Sequence, residues 1–285
     1  MMKHKAMKFM YDIVHTAIWI AIIILYLSID HPHNKNDVLT WMTSNIILIF
    51  LIVLMYSKST YVNKDTLEYQ NKNKQSTDLI HMFFIIGAGF FLNMLVNTLY
   101  TSFFSSDMLP NDELIMKNAG LYIPFYIGVC LATPIFEEII FRGYFYVGIN
   151  HLVKLLSKKY QFFKCAKNEK RTVLISYVLI SSTVFGVLHK QADFFSFLTY
   201  MLFGVILAAI FIITKRIWPG IIFHALNNTY AVLSLVYIKN TALNEWYNNL
   251  LIGIATVVFP LLAIFYPFIK AYILNTENKI HSNTD

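Results

Sequence analysis

Charge is scarce in this chain: 14% of its 285 residues are Asp, Glu, Lys or Arg, while 57% are hydrophobic and 16% aromatic. With a mean hydropathy of +0.54, that balance excludes an ordinary soluble globular domain and points to several apolar spans of a polytopic membrane protein. No polar stretch is long enough to form a separate soluble domain, so residues 1–285 read as one integral membrane domain. The two cysteines, Cys130 in an apolar run and Cys165 in a basic connection, exclude both metal-type cysteine spacing and a dense disulfide framework. An internal repeat, a Gly-rich phosphate loop and a low-complexity tract are also missing. The net charge of +7 comes from basic residues in connections beside the apolar runs, which is the placement that membrane orientation requires. That pattern argues against nucleic acid as a partner.

What is present is a series of apolar runs. A helix needs about 17 to 25 such residues to cross the hydrocarbon layer. Eight stretches qualify, approximately Ile13–Ile29, Val38–Tyr56, Leu79–Phe104, Leu121–Ile149, Thr172–Leu188, Phe194–Thr214, Ile217–Ile238 and Leu250–Ile273. They predict an all-α bundle of about eight transmembrane helices. The first run has a long apolar core and no A-x-A-like site after it, so it reads as a span and not as a cleavable signal. Eighteen of the lysines and arginines fall at the two ends and in alternate connections, against four in the other connections. By the positive-inside rule both termini are cytoplasmic. Residues 57–78 read as a polar connection, and residues 150–171, with Phe162 and Phe163 among lysines, as a solvated positive-inside loop.

Acid is scarcer still inside the runs. Of sixteen acidic residues only Glu137 and Glu138 lie well within one, together with Arg142, in the stretch P-I-F-E-E-I-I-F-R-G-Y. Ionisable groups cost several kcal/mol there, so they pair with one another or serve a function. On a helix, residues four apart share a face and adjacent ones differ by about 100°. Glu138 and Arg142 are thus predicted to pair, with Glu137 pointing elsewhere. A carboxylate left over in a partly dry cavity suits the role of general base for water.

Two further pairs have helical spacing. F-G-V-L-H places Phe185 and His189 on one face of the fifth run, and H-A-L-N-N does the same for His224 and Asn228 on the seventh. His15 and His81 lie near run ends and read as interfacial. No H-E-x-x-H helix, G-x-S-x-G elbow or G-x-G-D signature occurs, which leaves glutamate and histidine acting on water. One difficulty is depth. Counted along straight helices, His189 lies about 27 Å past Arg171 and His224 only about 12 Å past Arg216, so the cavity must be tall and tilted or the fifth helix must begin in the cytoplasm.

The ordered set E-E-x-x-x-R, F-x-x-x-H and H-x-x-x-N on three separate runs resembles the motif set of the CPBP (Abi) intramembrane proteases, which include the type II CaaX prenyl endopeptidases and bacteriocin-processing enzymes. The resemblance covers roughly residues 120–230. It implies an endopeptidase in which Glu137 activates the attacking water with help from His189, and His224 and Asn228 stabilise the oxyanion. Glu138, Arg142 and Phe185 are implied as supporting residues. The family has been described both as glutamate and as metallo enzymes. Metal-free activation is the reading taken, and Glu137, His189 and His224 would be the ligands if a single divalent metal such as zinc were held.

The expected partners are membrane lipid and a peptide or protein substrate, lipidated or leader-bearing, at the cytoplasmic face. Abundant Lys, Ile and Asn suggest an AT-rich bacterial genome, and hence the bacterial cytoplasmic membrane. A second reading is a non-catalytic scaffold or bacteriocin-immunity-type protein that keeps the protease fold. A transporter is a third, but no broken-helix repeat supports it.

Overall fold

The computed structural model describes residues 35–58, 78–104, 123–159, 166–189, 191–236 and 245–282, with the single positions 21, 109 and 113. Apart from position 21, the first predicted run, with His15, lies outside the described residues, and so do most of the connection after Lys58 and Cys165. Among the described residues all regular structure is helical: α1 (Lys35–Lys58), α2 (Leu79–Phe103), α3 (Ile123–Ile127), α4 (Thr133–Glu138), α5 (Phe145–Lys159), α6 (Ala166–Leu188), α7 (Phe194–Thr214), α8 (Trp218–Val236) and α9 (Glu245–Ser282). Four helical stretches are long and apolar enough to cross a membrane, namely Leu79–Phe103, Glu169–Leu188, Phe194–Thr214 and Ile254–Leu274. The chain is an integral membrane protein, and large side chains such as Phe83, Leu179, Val257 and Phe265 face outward along these helices. In lipid that exposure costs nothing, because the tails are as apolar as the side chains.

The helices pair in consistent directions. Gly89 abuts Phe223 and Asn93 bonds Asn227, so α2 and α8 run parallel. Asp78 meets Tyr266 while Phe91 meets Thr256, so α2 and α9 run antiparallel. Ser182 lies against Gly204 and Gly186 against Phe197, which makes α6 and α7 antiparallel as well. Chain alternation across a layer requires these directions of the third, fifth, sixth, seventh and eighth runs. At their centre Ile52, Phe136, Phe185, Leu207 and Phe223 are fully buried and pack into one cluster.

The fourth predicted run is not one uniform α-helix. Two π-turns, Gly128–Ala132 and Ile139–Tyr144, bracket α4, and the backbone stays helical through each junction. π-turns are rare and occur mostly as single insertions near functional positions. They also release carbonyl groups. Thr133 N–H reaches back five residues to Gly128, and the residue five beyond Val129 is Pro134, which has no N–H. The Val129 carbonyl is left without a helical donor and accepts from Asn228 Nδ2 at 2.9 Å.

A proline creates the same situation in α9. Pro267 cannot donate to the Ala263 carbonyl, and His81 Nε2 does so instead, at 2.7 Å. His81 is in the first turn of α2, near the predicted end, but it is a helix-to-helix bond and not a free interfacial ring. Beside it the α2 cap Asp78 accepts from His81 N–H, Tyr266 and Lys270. Burial alone would push the Asp78 carboxyl up, and those hydrogen bonds outweigh it, holding the group below its usual value. The stability it contributes is therefore present above the ordinary carboxylate pKa and lost as pH falls through the lowered one.

His81→Phe should cost about 1–3 kcal/mol, the price of a stranded carbonyl. Adding Pro267→Leu restores a backbone donor and should recover part of the loss, measured by thermal unfolding in detergent. Equal instability of the single and double variants would contradict the assignment.

Candidate active site

The site forms around one imidazole. His224, in the second turn of α8, is 2% exposed and lies between the two glutamates of α4. Its Nδ1 is 3.1 Å from Glu138 Oε1 and its Nε2 is 3.8 Å from Glu137 Oε2. The sequence reading sends Glu137 away from its neighbour, and along the helix the two do diverge. Their carboxylates nevertheless end on opposite nitrogens of the same ring, because His224 occupies the angle between them.

Glu138 is wholly enclosed. Its second oxygen, Oε2, faces Arg142 Nε at 3.1 Å, the predicted i,i+4 pair. Arg142 is 1% exposed, donates from Nη2 to the Gly204 carbonyl at 3.1 Å, and packs against the Phe141 and Phe185 rings. A buried carboxylate needs such compensation, since an isolated charge in a low-dielectric interior costs several kcal/mol. A carboxylate fixed in this way also sets the neighbouring ring, because it can only accept, so Nδ1 of His224 must carry hydrogen. Glu137 differs. Its side chain is 13% exposed, and its Oε2 is buried 3.8 Å from His224 Nε2, against 3.1 Å from a basic nitrogen for both oxygens of Glu138.

His189 follows the last residue of α6. Its Nδ1 donates to the Phe185 carbonyl at 2.7 Å, which leaves Nε2 as an acceptor in the neutral ring. The imidazole is stacked between Phe185, at 4.3 Å, and Tyr200, at 4.9 Å. Phe185 also meets His224 at 5.9 Å, and Phe203 meets it at 5.0 Å. Since Tyr200 and Phe203 are less than one turn apart on α7, the depth difference between the histidines is about one turn, less than counting along upright helices suggests. Asn228 lies one turn beyond His224, but one of its two amide hydrogens is committed to Val129.

Some site residues carry no motif signal. Gly220 leaves room for the carboxylate: a Cβ there would sit 2.9 Å from Glu138 Oε2. Gly204 allows α6 and α7 to approach, since its Cβ would be 3.0 Å from Ser182 Cα. Only contacts between distant segments reveal either role. Gly220→Ala should lower activity about ten- to hundredfold by shifting Glu138 and hence His224, although alanine is the better helix former by about 0.5–1 kcal/mol. Wild-type turnover in that variant would refute the packing.

Among the described residues, no three His, Cys, Asp or Glu side chains converge closely enough to hold a metal ion. Phe185 separates the two imidazoles.

Two carboxylates and two imidazoles are thus walled into a helical bundle, and the comparisons with known proteins point to a membrane protease. Residues 119–230, the stretch that carries all of these side chains, match the family model described as Type II CAAX prenyl endopeptidase Rce1-like. A protein of Bacillus subtilis (strain 168) named "Putative membrane peptidase YdiL" is 29% identical over 198 residues, which is 68% of this chain and 70% of its own length. No solved structure matches the chain. Together with the ordered motifs, these findings make the chain similar to membrane proteases of the CPBP type.

Proposed function

We propose that the chain is an intramembrane endopeptidase that hydrolyses a peptide bond of a membrane-associated, lipidated or leader-bearing peptide without a metal. The observation that carries this reading is the unequal state of the two glutamates: each Glu138 oxygen lies 3.1 Å from a nitrogen of Arg142 or His224, while Glu137 Oε2 is 3.8 Å from His224 Nε2, beyond hydrogen-bond distance. Glu137 accepts a proton from water, the oxygen of that water bonds to the carbonyl carbon, and the carbonyl oxygen becomes an oxyanion. Glu137 then returns the proton to the leaving nitrogen as the C–N bond breaks. His189, with Nε2 as an acceptor, suits orientation of the water.

In its imidazolium form His224 offers Nε2–H to the oxyanion while Glu138 holds Nδ1–H. The second amide hydrogen of Asn228 is the other candidate donor. Preorganised donors of this kind contribute about 3–4 kcal/mol each. The basic-residue asymmetry supports eight spans with both termini in the cytoplasm of a bacterial cell, and a substrate presented at that face of the membrane.

The test is a comparison of membrane-associated peptides in cells carrying wild type or Glu137→Gln. Uncleaved precursors should accumulate with the variant. Unchanged peptides, with full rescue of a deletion by Glu137→Gln, would favour the scaffold reading.

A further inference from the structure

The F-x-x-x-H stripe of α6 continues upstream. Tyr177, Ser181, Phe185 and His189 follow at intervals of four, so one face of the helix carries all of them. Phe185 and His189 belong to the site described above, but the hydroxyl-bearing half of the stripe has no part in it.

Those hydroxyls are unusual. Tyr177 and Ser181 are 0% exposed and Ser182 1%, yet apart from the approach of the Tyr177 and Ser181 hydroxyls to each other none of these groups has a hydrogen-bond partner, and neither has Arg142 Nη1. Buried Ser and Thr in apolar helices commonly bond the carbonyl one turn back. Thr199, Thr214 and Thr229 do so here, whereas Ser181 and Ser182 do not. The four groups are also neighbours. Tyr177 faces Ser181 and lies within reach of the charges of Arg142 and Glu138, and Ser182 abuts Gly204, whose carbonyl holds the other terminal nitrogen of Arg142.

We propose that Tyr177, Ser181, Ser182 and Arg142 Nη1 enclose a site for ordered water that locks the Arg142 guanidinium behind Glu138. The ligand chemistry follows from the groups. Arg142 only donates, and hydroxyls both donate and accept, so a water can accept from Nη1 and donate to hydroxyl oxygens. Buried waters typically make two to four such bonds. An anion is disfavoured because Glu138 already neutralises Arg142. Arg142 Nε faces Glu138 Oε2, and Glu138 Oε1 faces His224 Nδ1. The hydroxyls of α6 are thus positioning residues that act through Arg142 on His224, and their effect on catalysis rests on the endopeptidase reading.

The experiment uses full-length protein in detergent or liposomes: wild type, Tyr177→Phe, Ser181→Ala with Ser182→Ala, and all three changes together. Thermal midpoints test the water site independently of proteolysis. Loss of either hydroxyl set frees the same water, so the combined variant should be destabilised by clearly less than the sum of its parts. Additive losses would overturn the site. On a cleaved peptide, Tyr177→Phe should lower kcat roughly ten- to hundredfold with KM unchanged, and should alter the pH profile of kcat, which loss of packing alone would not do. Wild-type kcat and pH profile in the presence of thermal coupling would overturn the positioning role. Coupling in a wild type that cleaves no membrane peptide would leave the water site standing and remove the endopeptidase reading.

Discussion

Glu137→Gln is expected to lower the rate of peptide-bond hydrolysis by the purified protein by about two to four orders of magnitude, the usual worth of a positioned general base. The side chain keeps its shape and loses only its capacity to take a proton. Because the lost interaction exists chiefly in the transition state, kcat and kcat/KM should fall together. Stability should hold, or rise slightly, since the replaced carboxylate oxygen is buried with no hydrogen-bond partner to lose. Glu138→Gln should behave differently. It weakens contacts to both Arg142 and His224 and should unfold at lower temperature. A Glu137→Gln protein that still cleaves would remove Glu137 as the base.

Arg142→Ala should destabilise the fold by about 3–5 kcal/mol, because it leaves the Glu138 carboxylate buried beside a cavity without its counter-charge. That is a large share of the 5–15 kcal/mol that typically separates folded from unfolded protein. The double variant Arg142→Leu with Glu138→Leu should recover much of the loss, since buried ion pairs can often be replaced by apolar packing. It should remain inactive, because His224 then has no acceptor for Nδ1–H. Arg142→Lys should rescue poorly: an ammonium is a point charge and cannot face Glu138 and bond the Gly204 carbonyl in two directions. Thermal unfolding with a cleavage assay on each variant separates these outcomes. Full stability in Arg142→Ala would show that the pair does not carry the charge balance.

Local spacing was legible where the helix is regular. The bounds Phe194–Thr214 come directly from an apolar run, and the Glu138–Arg142 pair followed from a four-residue step even though Arg142 lies in the second π-turn. The same reasoning placed Phe185 with His189, which the ring stacking matches. It failed where a backbone departs from α geometry or where the partner is remote. Hydrophobic periodicity cannot register one inserted residue, so the π-turns around α4 left no signal. The partner of Asn228 is a carbonyl released by Pro134, and that of His81 a carbonyl released by Pro267. Neither proline advertises which distant side chain will replace its missing N–H. The apparent disagreement in depth arose from counting along upright helices that start at one plane. Contacts of His189 and His224 with neighbouring positions on α7 reduce it to about one turn.

The paired π-turns also determine how this site can change. Each π-turn holds one residue more than an α-helical turn would, so a further residue added beside it that stays α-helical rotates whatever lies beyond by about 100°. Glu137 and Glu138 occupy the short segment between the turns. Their aim at His224 is therefore set by chain length as much as by side-chain chemistry, and it shifts in whole-residue steps. Substitution of either acid alters one contact to His224, but a residue inserted on either flank that the π-turn cannot absorb turns both away together.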